Sequence, residues 1–145
     1  MKNTKAFSPW TPPLKLRGRG QGLTIGVAMK VLIIINDAPY GTEKAYNALR
    51  LAMGLQEESK EVEVRLFLLS DAVTCTLPGH QRPQGSYHIE QMLQGIIGKG
   101  AKVRACVSCI DARGLWAIDL IEGIEISSIS DLARWVLDSD RVITF

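Results

Sequence analysis

"VLIIIN", residues 31–36, is the stretch on which the fold turns. Five consecutive apolar residues, with no polar alternation, are the pattern of a short strand covered on both faces, as in parallel sheets flanked by helices. The run stops at Asn36 and Asp37, passes through the turn "APYG" and reaches Thr42, a good helix N-cap. Ala45, Ala48, Leu49, Ala52 and Leu55 then recur at helical spacing, so one face of residues 43–58 packs inward. Glu43 suits the positive end of that helix.

The same grammar repeats outward from this strand–helix unit. "VEVRLFLL", residues 62–69, reads as a second strand. Residues 70–86 begin ambiguously and become a Pro/Gly-rich loop, long enough to serve as a lid or binding loop. Ile89, Met92, Leu93, Ile96 and Ile97 mark an amphipathic helix, with Gly98 and Gly100 suited to ending it. "KVRAC", residues 102–106, is a third strand, and residues 115–126 have no clear period. Ile129, Leu132, Ala133, Val136 and Leu137 define another helix, capped from Ser128 or Ser130, and "RVITF" closes the chain as a strand. Strands alternating with helices predict an α/β domain with three layers, a mostly parallel sheet carrying helices on both faces. Ligands and chemistry in such sheets gather at the carboxyl ends of the strands. Three loops should meet there: 36–42, 70–86 and 106–114.

Composition narrows the function. The chain has 145 residues, 46% hydrophobic and 22% charged, which suits one soluble domain. No apolar run approaches the roughly 18–20 residues that cross a bilayer. The net charge of +2 hides an asymmetry: residues 1–29 carry five basic side chains and no acid, leaving 12 basic and 15 acidic ones in 30–145. A nucleic-acid-binding domain carries its basic excess on the folded part, so no nucleic-acid partner is expected. Residues 1–28, with prolines at 9, 12 and 13 and a glycine-rich run after them, show no secondary-structure period and read as a disordered basic tail. Pro and Arg interrupt the place of a secretory signal's apolar core. Met29 opens "MKVLIIIN" like a natural start, so residues 1–28 read as dispensable and 29–145 as the domain.

Three cysteines, Cys75, Cys106 and Cys109, are too few for a disulfide-stapled secreted scaffold. They read as free thiols of a reducing cytoplasm. "VRACVSCIDARGL", residues 103–115, holds the CxxC pair. A structural zinc site needs four ligands, and Cys75, His80 and His88 lie scattered on a loop, so no metal or other cofactor is expected. Two readings of the pair stay open from spacing: small buried side chains, or a reactive thiol. Position favours the second, because Cys106 ends a strand just before a helical turn whose unpaired N–H groups favour a thiolate. Arg113 adds positive charge if the chain folds back. Lowering a thiol pKa from about 8.5 to about 6.5 raises its ionised share at pH 7 from about 3% to about 75%. "NDAPYGTEK" lacks a P-loop or GxGxxG pattern and reads as a plain strand–helix turn, and no GxSxG elbow marks a serine hydrolase.

Five blocks in order, "NDAPYGTEKAYNALRLA", "RLFLLSDAV", "GSYHIEQML", "CVSCIDARG" and "SDRVITF", resemble the DsrE/DsrF/TusD superfamily of sulfur-relay proteins, and within it the small YchN-like branch. The resemblance spans about Lys30 to Phe145. It implies a flavodoxin- or Rossmann-like fold assembling into a homo-oligomer, a trimer or hexamer. It also implies a persulfide on Cys106 that passes between sulfur donor and acceptor proteins, with Cys109 and the Arg113–Gly114 pair completing the site. Two alternatives stand beside this sulfur-carrier or sulfurtransferase-like reading. One is a non-catalytic oligomeric binding or regulatory module with a small-ligand pocket; the other is a dithiol redox protein using both cysteines.

Overall fold

The computed structural model describes residues 28–82, 84 and 87–145. The tail read as disordered lies outside the described residues, apart from Ala28. Strand β1 (Met29–Ile35) leads into helix α1 (Lys44–Glu58), and β2 (Val62–Leu68) follows. A 3-10 segment, Ser70–Thr76, opens the connection to α2 (Ile89–Gly98) and β3 (Lys102–Cys106). The short helix α3 (Val107–Asp111) starts directly on β3, and a 3-10 turn at Leu115–Ala117 precedes β4 (Ile124–Ser127). Helix α4 (Ile129–Asp138) and β5 (Arg141–Thr144) complete the chain. Thr42 stands just outside α1, whose N-cap is Glu43 without a side-chain cap bond; its hydroxyl instead donates to Asp37 at 2.9 Å.

All five strands are parallel, in the order β4-β3-β2-β1-β5. The chain steps in one direction from β1 to β4, then jumps back across the sheet to β5. Right-handed crossovers therefore place α1 and α2 on one face and α4 on the other. Gln56 of α1 donates to the Ile96 carbonyl of α2 at 3.0 Å, joining the helices of the first face. On the second face Trp135 of α4 meets Phe67 edge-on, with centroids 6.1 Å apart, and stacks under Arg104 at 4.2 Å. Asp138 ties α4 to Arg65 of β2 and Lys30 of β1, each at 2.8 Å. Leu32, Ile33, Leu66, Phe67 and Leu68 are fully buried, as strands covered on both faces require.

β4 is the element that periodicity does not mark. Its residues alternate Ile124, Glu125, Ile126, Ser127 on a sheet edge, with too few positions to set a period. Gly123 leads into it with φ +88°, and a Cβ there would lie 2.7 Å from Ile97 Cγ2 of α2. Both strain and collision oppose any larger residue. Gly123→Ala is expected to destabilise the fold by about 1–3 kcal/mol. Thermal unfolding checks this, and an unchanged melting temperature would contradict the packing described.

Strand geometry also fixes where chemistry concentrates. The chain leaves β3 toward the α1/α2 face and β4 toward the α4 face, the topological switch at which ligands of such sheets commonly bind. Cys106 and Ser127, paired in register, are the last residues of those two strands.

Candidate functional site

Cys106 is both the end of β3 and the N-cap of α3, with extended backbone (φ −64°, ψ 118°). That position aims the first N–H groups of α3 back at its sulfur. Burial by itself raises this thiol's pKa. Hydrogen bonds from the Cys109 thiol, the Ser108 hydroxyl and the backbone N–H groups of Cys109 and Ser108 more than offset burial, and hold Cys106 below the usual thiol range. The Ser108 oxygen lies 3.2 Å from the Cys106 sulfur. Only 2% of Cys106 is exposed, whereas Cys109 is half-buried, so access to the pair runs past Cys109.

Cys109 is shifted the other way. Burial raises its pKa first, and its hydrogen bond to Cys106 and the charge on that sulfur raise it further. The Ser70 N–H, which donates to Cys109 Sγ at 3.2 Å, and the Arg113 charge oppose the rise without cancelling it. The two thiols are thus shifted in opposite directions, Cys106 down and Cys109 up.

Arg113 does fold back, but toward Cys109 rather than Cys106. Its Nη1 donates to the Cys109 carbonyl at 3.0 Å, while Nε and Nη2 donate to Asp71 Oδ1 at 3.2 and 2.8 Å. Gly114 follows with φ +63°, the left-handed turn that ends α3 and lets the chain reverse. Asp71 and Ser70 come from the 3-10 segment after β2, the ambiguous start of the 70–86 stretch. Ser70 has φ +50°, the one positive φ outside glycine among the described residues. Such a conformation costs about 1–2 kcal/mol for a residue with a Cβ, and it turns the Ser70 N–H onto Cys109. No sequence period announces a backbone donor of this kind; the acid following the strand was the available signal.

The three expected loops do converge. Ala72 N–H donates to the Asn36 carbonyl at 3.2 Å, Asp71 holds Arg113, and Ile121 N–H donates to the Thr76 carbonyl at 2.8 Å. Asp37 is used up locally, accepting from Thr42 and pairing with Lys44 at 3.5 Å, as a plain strand–helix turn requires. Cys75 is fully buried, and burial pushes its thiol up to about 12, so it stays protonated and inert. His80 and His88 stand apart from the thiols, stacked with ring centroids 6.4 Å apart. His80 lies 3.4 Å from the Tyr40 hydroxyl, and His88 caps α2 by accepting from Gln91 N–H at 3.3 Å. Among the described residues no cluster of three His, Cys, Asp or Glu is placed to hold a metal ion. Among them, too, no helix is long and apolar enough to cross a membrane.

A parallel five-stranded α/β sheet, with two thiols where β3 meets α3, defines the class. Within that class the chain belongs to the DsrE/DsrF-like family, which it matches over residues 29–145, and to its YchN-like branch. Protein YchN of Escherichia coli K12 is 45% identical over 116 residues, covering 80% of this chain and 98% of that protein. The crystal structure of the E. coli ychN protein superposes with a TM-score of 0.77 at 44% identity, covering 81% of this chain and 99% of that one. A more distant relative, the sulfurtransferase TusD homolog of Vibrio vulnificus, is 25% identical over 134 residues, covering 81% of this chain and 98% of that protein.

Proposed function

We propose that the protein is a sulfur carrier of the sulfurtransferase type, in which Cys106 takes up sulfane sulfur as a persulfide and hands it to an acceptor thiol. The observation that carries this reading is the place of Cys106 at the end of β3 and the N-cap of α3, with the Ser108 oxygen 3.2 Å from its sulfur. A thiolate is the nucleophile in sulfur exchange, and a thiol held below its usual range supplies more of it. Attack on a donor persulfide moves one sulfur onto Cys106, and an acceptor thiolate then removes the outer sulfur. Near-complete burial of Cys106 shields the loaded sulfur from bulk solvent between the two steps. Arg113 acts on Cys109, through its carbonyl and its charge, and holds α3 against Asp71. Kinship with a TusD homolog supports the same chemistry.

Residues 29–145 form the sulfur-handling domain in this reading, residues 1–28 are a dispensable tail, and donor and acceptor are proteins of a reducing cytoplasm. Three free thiols fit that compartment. A homo-oligomer is supported by α4, which leaves Ile129 63% and Leu137 88% exposed beside an exposed Val136.

Transfer tests the reading directly. With glutathione persulfide as donor and cyanide as acceptor, the protein is expected to accelerate thiocyanate formation well above the protein-free rate. No acceleration over a range of donor concentrations would contradict the carrier function.

A further inference from the structure

Carriage of sulfur by Cys106 explains neither the hold of the turn after β2 on the second thiol nor the strain that turn carries. Cys109 lies in the first turn of α3, whose N-cap is Cys106, so the helix start sets the second thiol beside the sulfur that becomes the inner atom of a persulfide. The strained Ser70 presents its N–H to Cys109 at 3.2 Å, and Arg113, anchored on Asp71, reaches the carbonyl of the same residue at 3.0 Å. A carrier needs no N–H donated to the Cys109 sulfur; a second nucleophile is helped by one.

The sign of the electrostatics changes on loading. In the unloaded pair, burial and then negative charge on Cys106 raise the Cys109 thiol. Once a sulfane sulfur is attached, that charge sits on the outer sulfur, one bond farther out. The Ser70 N–H and Arg113 then act on Cys109 with less opposition, and its thiolate becomes accessible. The CxxC spacing at the start of a helix brings the two sulfurs together, as a disulfide requires.

We propose a further activity, resting on the carrier reading: when no acceptor is present, Cys109 attacks the inner sulfur of persulfidated Cys106, releases hydrosulfide and leaves a Cys106–Cys109 disulfide. The new bond joins the two cysteine sulfurs. The bond from Cys106 to the sulfane sulfur breaks, its electron pair leaves with the outer sulfur, and the Cys109 proton goes to that sulfur as HS⁻. The sulfane sulfur is reduced by two electrons, and the two cysteine sulfurs are oxidised by two. A dithiol reductant restores both thiols and is itself oxidised to a disulfide. The protein thus converts a persulfide donor and a dithiol into sulfide whenever sulfur is not passed on.

The test uses the full chain under anaerobic conditions with one equivalent of glutathione persulfide, reading intact mass and sulfide together. Wild-type protein is expected to lose about 2 Da and release about one equivalent of sulfide, while Cys109→Ser retains about 32 Da of added mass and releases at least about tenfold less. Dithiothreitol should return the wild type to its starting mass and permit a second round. Cys109→Ala serves as a second variant, with folding of both checked by thermal melts. A wild type that holds its added sulfur and releases no sulfide overturns this activity and leaves the carrier function standing. Absence of any adduct or sulfide from all three proteins overturns both.

Discussion

Cys106→Ser is expected to lower thiocyanate formation from glutathione persulfide to the protein-free rate, a loss of at least about 100-fold. Serine keeps the size of the side chain and a hydrogen bond toward Ser108, so the fold should persist, with a melting temperature near that of the parent. What disappears is the nucleophile, because a hydroxyl in the same place stays protonated at neutral pH. Cys75 offers no substitute, since burial holds its thiol at about 12. Cys109 does not replace Cys106 either: burial raises its thiol, and it sits inside α3 rather than at the N-cap, where the helix's free N–H groups favour a thiolate. Transfer above about a tenth of the parent rate in Cys106→Ser would move the reactive sulfur elsewhere.

The second large effect concerns acidity. Cys109→Ala removes the strongest of the hydrogen bonds that counteract burial at Cys106, while Cys109→Ser retains an O–H donor in its place. Alkylation of Cys106 by iodoacetamide should therefore reach its half-maximal rate at a higher pH in the alanine variant. A folded thiol held below its usual range reacts at lower pH, and loss of the donor moves the profile upward. The reaction at pH 7 should slow in the alanine variant and be retained more fully in the serine variant. Both variants lack the competing half-exposed thiol, so the signal reports Cys106 alone. Superimposable profiles would mean that the Cys109 thiol does nothing for Cys106.

How much of this was legible in the sequence depended on the kind of interaction. The apolar run at 31–35 and the helical spacing of Ile89 to Ile97 are long enough to carry their own period, and β1 and α2 lie where those patterns put them. β4 escaped notice because four alternating residues at a sheet edge set no period; its place depends on pairing with β3 and on Gly123 fitting against Ile97. Cys106 was legible because a strand end meeting a helix start is itself a sequence feature. The Arg113–Asp71 pair was not, since the partners are separated by a strand, a helix and a loop, and only the sheet brings them together. Ser70 was least legible of all. Its contribution is a backbone N–H set by a left-handed φ, and any residue type supplies an N–H.

The central claim is that sulfane sulfur resides on Cys106. Its most direct test is to load the Cys109→Ser protein with glutathione persulfide, trap the product with iodoacetamide, and measure the mass of the peptide containing Cys106. The account predicts a peptide heavier by about 32 Da than the same peptide alkylated without donor, with the Cys75 peptide unchanged. A Cys106 peptide of unaltered mass, from protein that remains folded and alkylatable, would contradict it.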